Sequence, residues 1–258
     1  MSDCSCNYIV KTFLDSCKNN NVRKVQACIE LSVDVNFNYK DDNNNFGLIY
    51  AAQKNFPELC DVLLSEASIN VNNKTIYNDT ALMRSCVHGH CSITQKLLSS
   101  PGIDVNCQEN SGGTAAMYAV VNNQTDCVQL LAQRQDVNWN LQSADGDTAV
   151  LLGVKMFGFA SLEILKHVDG INWNIKNNEG DTCLTLALKE KKMEIVKLLL
   201  TVPGVDVNIK DAQGNSPIIN AVKDDSFGIF QLLSTVAALD WNTMTVNRQS
   251  LEDVARSQ

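Results

Sequence analysis

Apolar residues recur along this chain in short bursts separated by polar turns. MEIVKLLL (193–200) and TALMRSCVHG (80–89) place them at helical spacing. After each burst of the first kind comes a segment such as VPGVDVN (202–208) or SPGIDVN (100–106), in which Pro and Gly stop the helix and an extended piece follows. The pattern predicts pairs of short helices joined by turns. One such pair cannot bury its own apolar face, so it must stack on its neighbours.

The bursts keep a fixed phase. Thr80, Thr114, Thr148, Thr182, Ser216 and Ser250 stand 34 residues apart, each eight residues after an Asn (Asn72, Asn106, Asn140, Asn174, Asn208, Asn242). Two residues before the hydroxyl stands Asn78, Gly112, Gly146, Gly180 or Gly214, and seventeen after it Leu97, Leu131, Leu165, Leu199 or Leu233. The hydroxyl reads as a helix N-cap, whose oxygen accepts from free first-turn N–H groups. The Gly or Asn before it supplies a turn position with positive φ. Small residues five after the cap (Ser85, Ala119, Gly153, Ala187, Ala221) let neighbouring helices approach. The fold class predicted is an all-α repeat solenoid of about seven helix pairs and a partial C-terminal one. The units run 7–35 (an N-terminal capping repeat), 36–69, 70–103, 104–137, 138–171, 172–205, 206–239 and 240–258.

DVNIKDAQGNSPIINAV (206–222), MEIVKLLL and TALMRSCVHGH (80–90), with its Gly-His ending, resemble the ankyrin repeat family over nearly the whole chain. The resemblance implies helix–turn–helix units with β-hairpin-like turns. The chain departs from it in places. Only Ser216-Pro217 keeps the family's proline after the hydroxyl, and no repeat keeps the histidine of Thr-Pro-Leu-His. Phe157-Gly158 stands where Gly-His is expected, which predicts a shifted interhelix turn. The remnant SLEDVARSQ (250–258) matches a first helix alone. It reads either as a C-terminal cap or as a sign that the repeats belong to a longer protein.

Ten cysteines are scattered, several inside predicted helices, and the N-terminus carries no signal peptide. They read as reduced core thiols of a cytoplasmic or nuclear protein. A formal net charge of -8 disfavours nucleic acid and anionic membrane and favours basic partners. The least polar stretch (148–165) contains Lys155, Ser161, Glu163 and two Gly, and is no membrane span. His88-Gly-His90-Cys91 lacks the second ligand pair of a zinc site, and Cys4-X-Cys6 lies at what reads as a frayed end. There is no phosphate-loop, dinucleotide or nucleophile-elbow motif. The chain therefore reads as a non-enzymatic scaffold without cofactor or metal, monomeric, with a protein partner.

The resemblance implies a concave binding surface of turn tips and first helices, which maps onto Tyr77, Asp79, His88, Asn122, Asp145, Asp147, Met156, Glu179, Asp181 and Glu190. Asp145, Asp147, Glu179 and Asp181 would form an acidic ridge for a basic peptide. They could equally be solvated turn residues. Tyr118, Leu152, Met156 and Leu186 fall on equivalent faces of three first helices, as an exposed apolar patch or as core. Lys155, Lys189 and Lys223 recur at one position, the motive for an alternative small-ligand or nucleotide reading. Trp139, Trp173 and Trp241 replace the valine that closes one unit against the next, so they read as packed. The resemblance also implies that Asn106 and Asn208 could be hydroxylated.

Overall fold

A computed structural model describes residues 2–31, 37–42, 44–211, 213–224 and 226–242, with side chains from Tyr8 onward. Ser250, the remnant 250–258 and the first repeat's closing turn (32–36) lie outside these residues. The chain packs as two compact units, Met1–Asn138 and Trp139–Gln258.

The first unit holds four helix pairs: α1 (Ser2–Lys18) with α2 (Val22–Glu30), α3 (Gly47–Lys54) with α4 (Pro57–Leu64), α5 (Ala81–His88) with α6 (Cys91–Leu98), and α7 (Ala115–Val121) with α8 (Thr125–Ala132). First helices stack on first helices and second on second. The second unit holds α9 (Ala149–Lys155) with α10 (Phe159–Leu165), α11 (Cys183–Lys189) with α12 (Met193–Leu199), and α13 (Pro217–Lys223) with α14 (Phe227–Ser234). Among the described residues there is no strand, so the β-hairpin-like turns are turns only. Helix α1 runs through Cys4 and Cys6, where a frayed end was expected.

Local chemistry explains the period. The hydroxyls of Thr80, Thr114, Thr148 and Thr182 accept from the N–H groups of Met83, Met117, Leu151 and Thr185 at 3.2–3.4 Å. Ser216 departs: Pro217 follows it, no side-chain cap bond forms, and its buried Oγ has no partner. The five leucines seventeen residues after each cap are all fully buried. Each such side chain contributes roughly 1.5–3 kcal/mol through burial. Ser85, Ala119 and Ala187 are likewise fully buried where first helices meet.

The recurring Asn forms a ladder. Asn72 Nδ2 donates to Gly102 O at 2.7 Å and its Oδ1 accepts from Asp104 N at 2.8 Å. Asn38 and Asn106 do the same in the first unit, and Asn140, Asn174 and Asn208 in the second. Each amide thus joins one repeat's turn to the backbone of the next. Asn174→Ala should leave Gly204 O and Asp206 N without that partner and lower stability by about 2 kcal/mol. Urea unfolding monitored by circular dichroism measures the loss, and a change within error of zero would mean the ladder is ornamental.

The turn at Phe157-Gly158 is not shifted. Phe157 itself adopts φ +55°, matching Gly89 (+69°) and Lys191 (+54°) at the same place in their repeats. Gly158 N then donates to Gly153 O at 2.8 Å, as His90 N does to Ser85 O at 2.9 Å. Trp139 and Trp173 are buried, in line with the packed reading, whereas Trp241 is 49% exposed and lies edge-on to Phe230.

Candidate functional site

The turn tips are built by the residue five before each cap, a position that the sequence pattern does not flag because its identity changes. Thr75 Oγ1 accepts from Tyr77 N and Asp79 N, Glu109 from Ser111 N and Gly113 N, Asn177 from Glu179 N and Asp181 N, and Asp211 from Gln213 N and Asn215 N. Each short polar side chain folds its own turn by satisfying two backbone donors. Adjacent turns are tied laterally, Asn110 N to Tyr77 O at 3.1 Å in the first unit and Asn178 N to Asp145 O at 3.0 Å in the second.

This geometry divides the expected acidic ridge. Asp79, Asp147 and Asp181, immediately before the caps, are buried rather than at the tips. Asp147 pairs with Lys155 at 2.5 Å and accepts from Asn177 Nδ2 at 3.0 Å, Asp181 pairs with Lys189 at 2.9 Å, and Asp79 pairs with Arg84. Only Asp145 and Glu179 of the four ridge acids are exposed, and Glu179 lies 3.6 Å from Lys189. Burial works against the Lys155 charge, but the Asp147 carboxylate outweighs it and raises the lysine's pKa. The bond to Asp181 does the same for Lys189. Lys223 donates to Asn215 Oδ1 at 3.0 Å. The three lysines of the phosphate-binding alternative are thus all engaged by the residue before the cap, eight positions earlier in sequence. That leaves little free cationic field for an anion.

Of the expected apolar patch, Leu186 is buried, Leu152 is half-buried and Met156 is 52% exposed. Leu186 packs because α11 is covered along its length, every residue from Cys183 to Leu188 being buried. His88, Asn122 and Glu190 are exposed, and Glu190 pairs with Lys192 at 2.5 Å. Asn106 and Asn208 are rungs of the ladder, with both ends of each amide engaged.

In the first unit the structure gathers Tyr77, Asp79, Tyr118 and Asn122 around one depression of about 470 Å³, with Arg84, Val87, Glu109 and Val121. Gly113 makes it. Asp79, Asp147, Asp181 and Asn215 precede the caps of neighbouring repeats, but a Cβ at 113 would stand 3.2 Å from the Tyr118 ring and 2.8 Å from Glu109 Oε1. The ring therefore occupies the space that a paired acid fills elsewhere. Burial, then the charges of Glu109 and Asp79, raise the Tyr118 pKa, so its hydroxyl remains a neutral donor. Tyr77 stands at the rim, 59% exposed. The depression thus offers two aromatic rings, two valines and two carboxylates, of which Asp79 is paired with Arg84 and Glu109, among the described residues, is in no ion pair, a composition suited to an apolar anchor beside a cation.

No helix among the described residues is long and apolar enough to cross a membrane. No curated protein sequence is detectably similar to the chain. Solved structures are. The ankyrin repeat domain of Bcl-3, described as a unique member of the IkappaB protein family, superposes with a TM-score of 0.75 at 19% identity, over 86% of this chain and 97% of that one. EF0377, an ankyrin repeat protein, does so with a TM-score of 0.68 at 22% identity, over 74% and 98%. At these identities the likeness speaks for the fold. The sequence itself matches the family model for ankyrin repeats in three copies, at residues 13–109, 82–166 and 156–244. With its repeats in phase from cap to ladder, and the family model matched over most of its length, the chain belongs to the ankyrin repeat family.

Proposed function

We propose that this chain is a non-enzymatic protein-interaction scaffold whose concave surface takes a partner segment with an aromatic or aliphatic anchor beside a basic residue. Ankyrin repeats are in general protein–protein interaction domains. The observation that supports the finer reading is the depression between Tyr77 and Tyr118, apolar on its walls and acidic at Glu109. The net charge of -8 would steer a cationic segment toward it. In the second unit, the exposed carboxylates of Asp145 and Glu179 offer further contacts for cations.

Display selection of random peptides against the full chain tests this. The selected peptides should pair an aromatic or aliphatic residue with Lys or Arg. Tyr77→Ala, at an exposed rim position, should weaken them roughly 30-fold, the effect of losing a hot-spot side chain worth about 2 kcal/mol. Val121→Lys should do the same by charging the wall. Affinities unchanged in both variants, or selected peptides without basic residues, would overturn the assignment.

A further inference from the structure

Away from that depression, the first unit brings three cysteines together. Cys91 opens α6, Cys127 is the third residue of α8, and their Sγ atoms are 3.6 Å apart. Cys86, on α5, is a neighbour of Cys127 as well, and the two thiols perturb one another. Thr94 Oγ1 lies 3.5 Å from Cys127 Sγ and 2.9 Å from Ser85 Oγ. Cys86 and Cys127 are fully buried, whereas Cys91 is partly exposed. Of these three cysteines Cys91 alone is not fully buried, and its sulfur touches a second one on the neighbouring repeat.

We propose that Cys91 and Cys127 form a peroxide-oxidisable thiol pair, in which Cys91 is the sulfur attacked and Cys127 the one that resolves it into a reversible inter-repeat disulfide. The balance is simple. The Cys91 thiolate attacks hydrogen peroxide, the O–O bond breaks, hydroxide leaves, and a sulfenic acid remains on Cys91. The Cys127 thiolate then attacks the Cys91 sulfur, the S–O bond breaks, and a second hydroxide leaves. The proton that Cys91 passes to Cys127 converts the first hydroxide to water and so returns Cys127 to the thiolate; the second leaves as hydroxide. The two sulfurs together lose two electrons and peroxide gains them. A disulfide needs the sulfurs to close from 3.6 Å to about 2.05 Å, a movement of roughly 1.5 Å.

Accessibility, rather than acidity, sets this division of labour, because the proton is held unevenly between the two sulfurs. Hydrogen bonding from the Cys86 thiol, against the effect of burial, brings Cys127 down to about 6, while burial and the Cys127 neighbour push Cys91 up to about 11. The resting proton thus sits on Cys91. It can pass to Cys127 across the 3.6 Å contact when peroxide approaches from the solvent side.

Peptide mapping of the full chain tests the pair. Treated folded with hydrogen peroxide, alkylated and digested by trypsin without reductant, it should yield peptide 85–96 joined to peptide 97–134. Fragment ions should place the link at Cys91–Cys127, and dithiothreitol should release it. Cys107→Ser should leave the link intact and Cys91→Ser should abolish it. Cys127→Ser should instead accumulate a dimedone-reactive sulfenic acid on Cys91, a signal that does not depend on the link. A link through Cys86, a link that forms only in urea, or no dimedone adduct in Cys127→Ser would overturn the assignment.

Discussion

Gly146→Ala is expected to lower stability by about 3 kcal/mol, while Gly204→Ala, at an equally positive φ, is expected to cost about 1. Both glycines adopt left-handed backbone, at +77° and +86°. The conformational penalty is therefore shared, and the difference is steric. A Cβ on Gly204 would meet nothing within 4 Å. A Cβ on Gly146 would stand 2.7 Å from Asn178 N and 2.6 Å from Asn178 Oδ1. Asn178 is the residue that ties the two turns, its N donating to Asp145 O at 3.0 Å and its Nδ2 to Ala144 O at 2.8 Å. Backbone cannot swing aside as a long side chain can, so the turns must separate and both bonds weaken. Urea denaturation of the two variants decides the matter, and equal losses would mean that the lateral tie carries no energy. Gly146→Asn sharpens the comparison. Asn tolerates positive φ but carries the same Cβ, so it should rank with Ala if sterics dominate.

The repeat phase was legible in the sequence because it rests on backbone requirements. A cap needs a hydroxyl, a left-handed turn position favours Gly or Asn, and the helix seam needs Leu131 or its equivalents fully buried. These demands recur whatever the partner, so they repeat in register. The candidate surface was less legible, for three physical reasons. The acids before the caps read as tip residues, yet Asp147 and Asp181 turn inward to lysines eight positions on, a pairing that crosses from turn to helix and has no local signature. Leu186 lies at a position that carries Tyr118 in one repeat and Leu152 in another, and its burial depends on how fully its helix is covered. The depression at Tyr118 depends on the absence of a side chain at Gly113, which a search for chemical groups passes over. Phe157 misled in the opposite direction: an aromatic residue looked like a broken turn, but the turn's hydrogen bonds held it at positive φ.

Lys192 shows the same substitution of one chemistry for another, and its replacement should be as damaging as Gly146→Ala. In the repeat at 70–103, His90 reaches back with Nε2 3.4 Å from Gln53 O, at the end of the preceding repeat's first helix. Lys192 occupies the equivalent place, ten residues after its cap. Its Nζ donates to Val154 O at 2.6 Å and Lys155 O at 2.9 Å, the last carbonyls of α9. The same nitrogen pairs with Glu190 at 2.5 Å and lies 3.7 Å from the centre of the Phe157 ring. A cation at a helix C-terminus satisfies carbonyls that have no intrahelical donor and complements the helix dipole. The ring above it shields these bonds from water and adds a cation–π attraction. Met keeps the length and apolar stem of the side chain but leaves both carbonyls without this donor and Glu190 without its partner. Lys192→Met should therefore cost about 3 kcal/mol. Lys192→His should recover part of that loss, because an imidazole serves in the same place at His90. Differential scanning calorimetry of the three proteins should place the His variant between wild type and Met. A Met variant as stable as wild type would show that α9 closes without Lys192, and a His variant no better than Met would show that reach, rather than hydrogen-bonding capacity, governs this joint.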